Sequence, residues 1–175
     1  MSRRTLPTMF LLAAVAAGAA GCAMPWTPAG GKSGPLTADL TFAAVVEQTD
    51  QECPAGDATA FDTSWPGEDG AAQCTFVDPD EQFIVTSGEI ELVVPEGEDG
   101  TAQNYVTISL DDADATVLAE LTETLVDRPQ PQNQLAIIID GEVESMPAVM
   151  EPIVDSEMQI SGGNDMSTVY DKLTG

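Results

Sequence analysis

The side chains that could do chemistry are three thiols, Cys22, Cys53 and Cys74, and thirty carboxylates, with no imidazole anywhere in the chain. The absence of histidine excludes Ser-His-Asp and Cys-His catalysis, His-ligated zinc, His-ligated haem and imidazole pH switching. Two carboxylates in one cleft can hydrolyse a glycoside, but among so many acids no pair stands out. Asp112-Ala113-Asp114 with Glu123 imitates the ends of a calcium loop; the central glycine and middle ligands are missing, and the helical period around it marks a helix cap instead. Asp78-Pro79-Asp80-Glu81 and Glu96-Gly97-Glu98-Asp99-Gly100 read as solvated acidic turns. Neither a Gly-rich phosphate loop, nor a nucleophile elbow, nor a dinucleotide fingerprint is present. No catalytic residue, cofactor or metal site is expected. Met146, Met150, Met158 and Met166 bring four thioethers close together in sequence. They suit either a surface accepting varied apolar partners or ordinary core filling.

The 175 residues are enough for one domain with appendages, and 43% hydrophobic content permits a folded core. The formal net charge is −25. A field of that sign repels phosphate backbones, so nucleic acid is excluded as a partner.

Export signals occupy the first 22 residues. Arg3 and Arg4 precede an apolar run from Met9 to Ala20, about a dozen residues and too short for the roughly 20 that span a bilayer. Residues 1–21 therefore read as a signal peptide. The stretch Ala19-Ala20-Gly21-Cys22 resembles the lipobox of bacterial lipoproteins, departing from it at Ala19 where Leu is usual. The resemblance implies acylation of Cys22, with lipid chains anchoring the protein to the extracytoplasmic face of the cell membrane; an ordinary cleaved leader is the other reading. Ser2-Arg3-Arg4-Thr5-Leu6 partly resembles a twin-arginine signal, leaving the export route open. Residues 22–35, rich in Pro, Gly and Ser, read as a flexible tether reaching on the order of 20 Å. Within it, Trp26 could rest at the headgroup level or be a plain linker residue. Removal of the leader also removes Arg3 and Arg4, leaving Lys32, Arg128 and Lys172 to face thirty acids. In an exported chain, Cys53 and Cys74 read as a disulfide; thiolate metal binding would need further soft or imidazole ligands.

Alternation marks half-buried strands at Leu40-Phe42-Ala44-Val46, Ile90-Leu92-Val94 and Val106-Ile108-Leu110. The continuous run Leu135–Ile139 predicts a central strand buried on both faces. Asp140-Gly141 suits a type I′ turn into a returning strand over Glu142–Ser145, and Met158–Ser161 predicts another short strand. Asp111, Asp112 and Asp114 cap and charge the start of a helix whose stripe is Val117, Leu118, Leu121 and Leu125, ended by Arg128 and Pro129. A second helix starts at Asn164 or Asp165 and carries Met166, Val169, Tyr170 and Leu173 on one face. The expected class is α+β, a mainly antiparallel sheet with two covering helices.

The run from Gln134 through Asp140-Gly141, then Met146-Pro147, Glu151-Pro152-Ile153 and Gln159-Ile160-Ser161-Gly162, resembles the head subdomain of the first periplasmic domain of the protein-export subunit SecD. Ile139 stands where that family has Leu, and Met146 where it has Ala. Tyr105–Leu110 and the following helix resemble the family's strand and aspartate-capped helix. Leu40-Thr41-Phe42 and the Cys74–Gly88 region look like more distant counterparts. The head-like domain is placed at residues 36–175, with the best correspondence over 88–175. Read physically, Asp140, Gly141, Glu151, Pro152 and Gly162 belong to an architectural motif of turns and a stiffened loop. The resemblance implies binding rather than catalysis: contact with secreted polypeptides or the Sec translocon, through an apolar surface that includes Met146, Pro147, Met150 and Ile153. The competing reading is an envelope-interaction lipoprotein with no part in export.

Overall fold

The computed structural model describes residues 31–65, 67, 70–95, 103–161 and 165–175. Cys22, Gly162, Asn164, the leader and the acidic turn at 96–100 lie outside the described residues. The elements run β1 (Lys32–Pro35), β2 (Leu40–Thr49), β3 (Ala60–Asp62), β4 (Cys74–Ile84), β5 (Gly88–Val93), β6 (Tyr105–Leu110), α1 (Asp112–Leu125), β7 (Leu135–Ile139), β8 (Glu142–Ser145), β9 (Glu157–Ile160) and α2 (Met166–Thr174).

These strands form two antiparallel sheets. One has the order β1-β5-β6-β9, the other β3-β4-β2-β7-β8. The class is the α+β architecture expected, but the strands divide between two sheets instead of sharing one. Burial explains the division. Leu40, Phe42 and Ala44 of β2 and Leu135, Ile137 and Ile139 of β7 join Ile90, Leu92, Val106 and Ile108 of the other sheet in the main core. Both helices close this core, α1 through Leu118, Leu121 and Leu125 and α2 through Met166, Val169, Tyr170 and Leu173. Alternate residues of the same five-stranded sheet, Ala43, Val45, Ala136 and Ile138, point the other way into a second core. Phe61, Trp65 and Met146 pack over it. The Cys53–Cys74 disulfide ties the end of β4 to the segment that carries Phe61 and Trp65.

The central strand β7 is buried along its whole length, as its continuous apolar run predicts. β2 departs from its half-buried reading: of the six successive residues Leu40 to Val45, which lie between the two cores, all but the partly exposed Thr41 are buried. The β2–β4 register shifts on either side of Val45, so the alternation breaks and Val46 faces solvent. Two further corrections follow from strand pairing. Lys32–Pro35, read as the end of the tether, pairs with Glu89–Leu92 as an edge strand. Asp78-Pro79-Asp80-Glu81, read as a turn, runs inside β4; its acids escape burial because β4 itself bulges outward here, its residues 78–81 standing opposite Ala44 of β2.

Local signals position the rest. Asp111 caps α1, accepting from the N–H groups of Ala113 at 3.0 Å and Asp114 at 2.9 Å. Asp114 reaches back to the β4–β5 connection and accepts from Thr86 N–H at 2.8 Å and its hydroxyl at 3.0 Å. Asp165 caps α2 through Ser167 N–H. Asp140 and Gly141 both take positive φ, 50° and 84°, the conformation of the two-residue hairpin turn that joins β7 to β8.

Candidate binding surface

After β8 the chain runs as a long irregular segment to β9. Three anchors of this loop are bonds between main-chain groups. Leu135 N–H donates to the Pro147 carbonyl at 3.0 Å, Val149 N–H to Asn133 O at 2.8 Å, and Leu110 N–H to Ser156 O at 2.8 Å. In its middle, Ile153 N–H donates to the Thr122 hydroxyl of α1 at 2.9 Å. Pro147 and Pro152 limit the chain's alternatives between these anchors. The result is a loop held at four points whose Met150 and Val154 side chains stand 76% and 74% exposed.

The structure separates the residues that the sequence groups together. Met146 turns into the second core and accepts a 3.4 Å hydrogen bond from the Thr75 hydroxyl on its sulfur. Ile153 packs against the main core, as does Met158, while Met166 is buried in it. Pro147, Glu151 and Pro152 are exposed. Of the four methionines only Met150 lies open to solvent. A continuous methionine surface is therefore not formed: three of the four thioethers fill core space, and the other exposed apolar side chain of the loop is Val154, which sequence reading missed because no period marks a loop.

Two concavities flank the helices. One, about 200 Å³, lies between α2 and β8 and is lined by Ser64, Glu142, Glu144, Asp165, Thr168, Val169 and Lys172. Lys172 fills its charge demand, donating to Glu142 at 2.7 Å and to Glu144 at closer range. Its ammonium is held above the ordinary Lys range by the hydrogen bond to Glu142, then by that to Glu144. The second, about 230 Å³, lies between β4 and α1. Phe83, Val117 and Leu121 supply its apolar walls, and Asp80, Glu81, Glu120 and Thr124 line it with them. Arg128 closes one end: its guanidinium makes two 2.6 Å bonds to the Glu81 carboxylate and a 3.3 Å contact to the Thr124 hydroxyl. The Arg128 hydrogen bonds hold Glu81 below the usual Glu range. Val117, placed by its spacing on the buried stripe, is 41% exposed here; the strand beside it covers Leu121 and leaves Val117 at the mouth.

Among the described residues no three acidic or sulfur side chains converge as metal ligands, and no helix is long and apolar enough to cross a membrane. Two antiparallel sheets, two acid-capped helices and a loop pinned against one of them define an α+β domain. The chain belongs to the SecDF P1 head subdomain family, whose sequence profile it matches over residues 65–171. Among solved structures it aligns with SecDF, described as a membrane component that enhances protein export, at 14% identity and a TM-score of 0.46. That alignment covers 79% of this chain and 61% of the other. A SecDF crystal structure in a super-membrane-facing form gives the same identity and TM-score, with 79% of this chain and 18% of that one covered. The chain thus spans less than two thirds of either structure. No curated protein matches the sequence.

Proposed function

We propose that this protein is a lipid-anchored, extracytoplasmic head domain that contacts polypeptides during export, beside the export machinery, without catalysing a reaction. The observation that carries the reading is the family match over residues 65–171. The leader and the Ala19-Ala20-Gly21-Cys22 stretch support the anchor. The pinned loop supports the contact: Met150 and Val154 are apolar, four residues apart in the loop and open to solvent on a mount held by hydrogen bonds. Unbranched Met adapts to varied apolar partners, which a binder of unrelated chains requires.

Photo-crosslinking side chains at positions 150 and 154, in cells, test the contact. Capture of exported chains or of a translocon subunit supports it; capture of neither rejects it. Lipid labelling tests the anchor, since Cys22→Ala must abolish incorporation and release the protein from the membrane. Deletion separates the roles: slowed secretion supports export, whereas normal secretion with altered envelope integrity replaces it with a structural role.

A further inference from the structure

We infer that the β4–α1 cleft is a docking site for a polypeptide segment carrying a Lys or Arg side chain beside an aliphatic one. The inference rests on the polypeptide-binding reading above and gives it a second contact point and a substrate chemistry.

Size selects a side chain over a cofactor. The cleft's volume, about 230 Å³, falls below the roughly 300 Å³ at which small-molecule pockets begin. Its walls are the buried Leu121, the partly buried Phe83 and the 41% exposed Val117, which stands open at the mouth. Its rim carries Asp80 and Glu120, and no cation among the described residues reaches either carboxylate. Lys32, Arg128 and Lys172 are each engaged elsewhere, with Asp171, Glu81, and Glu142 with Glu144 respectively. The rim carboxylates are therefore open to a cation that a partner brings. The cleft between α2 and β8 differs on this point, because Lys172 already occupies its acids.

Arg128 shows what the site accommodates. A guanidinium already sits across the end of the cleft, gripping Glu81 with two bonds and touching Thr124. A second cation can take Asp80 and Glu120 while its neighbour's methyl groups cover Val117 and Phe83. Long cationic side chains present an apolar stem and a charged head together, which matches an apolar wall below an acidic rim.

Fluorescence anisotropy on the full chain in detergent, with a labelled unstructured peptide of Arg, Leu, Gly and Ser, tests this. Analogues with Arg→Gln or Leu→Ser separate the two components. The Arg/Leu peptide should bind most tightly. Asp80→Asn with Glu120→Gln should weaken it roughly two- to tenfold, and Val117→Ser should weaken it further, while Glu47→Gln with Glu52→Gln should not. All these side chains are exposed or partly exposed, and unchanged thermal midpoints verify folding; Val117→Thr serves if Val117→Ser lowers the midpoint. Equal losses in both charge-neutralised pairs would mean the overall negative field alone attracts the peptide and overturn the site. Undiminished binding of the Arg→Gln analogue would overturn the charge selection. If crosslinkers at 150 and 154 capture exported chains while the cleft variants bind peptide normally, the cleft fails and the functional reading survives. Absence of both peptide binding and capture removes both.

Discussion

The main-chain N–H of Ile153 donates to the Thr122 hydroxyl at 2.9 Å, and the same hydroxyl donates to the Leu118 carbonyl at 2.8 Å. One fully buried side chain in the last turn of α1 thereby ties the exposed loop to the helix. Thr122 lies about 140° round the helix from Val117 by the helical period, so the loop and the β4 cleft flank α1 on different sides.

Thr122→Val keeps the shape and removes the acceptor. The orphaned Ile153 N–H then costs about 1–2 kcal/mol, and its amide exchange should rise by about tenfold while the amides of β7 remain protected. Thr122→Ser should retain most of the protection. Equal exchange at Ile153 in the Val variant and the parent would show that the loop is held by its other anchors alone.

Lys172 sits between two carboxylates, one of which, Glu144, has a side chain only 2% exposed. Lys172→Met leaves that charge buried without its cation, and denaturant unfolding should show a loss of about 2 kcal/mol, below the value for a fully buried pair because Lys172 is itself one-third exposed. Adding Glu144→Leu to this variant should recover much of the loss. Because the folded Lys172 value is raised above the ordinary 10.5, the stabilisation persists through neutral pH and disappears as pH rises through the folded value.

The acid limb tests Glu81. Its folded value is lowered from 4.5 by Arg128, so its contribution is present above 4.5 and lost as pH falls through the folded value. Acidification also relieves repulsion among the carboxylates of a chain at −25, and only the difference from Glu81→Gln isolates the pair. That difference should be about 1 kcal/mol at pH 7 and fade as pH falls below 4.5 through the folded value, read from thermal midpoints across the range. A difference that persists undiminished at low pH would mean the substitution acts through packing.

Reduction of the Cys53–Cys74 bond opens a loop of 21 residues. The chain-entropy argument gives about 3 kcal/mol for a loop of this length. Trp65, which packs on the second core, should red-shift in the double Cys→Ala variant before the main core unfolds. A coincident shift and global transition would show that the two cores melt as one.

How much was legible depended on the range of the interaction. The Asp111 and Asp165 caps, the Asp140-Gly141 turn, the α2 stripe and the buried β7 run are all visible in sequence, because each is set by neighbours a few residues away or by the hydrophobic period of one element. The family resemblance was also legible in local residue order, and the family match over 65–171 agrees with it. Tertiary structure alone decided that the strands divide into two sheets, that β2 is buried on both faces, and that Lys32–Pro35 joins a sheet edge. Tertiary structure likewise sent Met146, Met158 and Met166 inward and left Met150 and Val154 exposed at the surface. The same holds for the Glu81–Arg128 grip and the cleft it closes, whose partners lie 47 residues apart. Such pairings are fixed by which faces bury one another when distant strands meet, and hydrophobic association has no direction of its own from which a sequence pattern could be read.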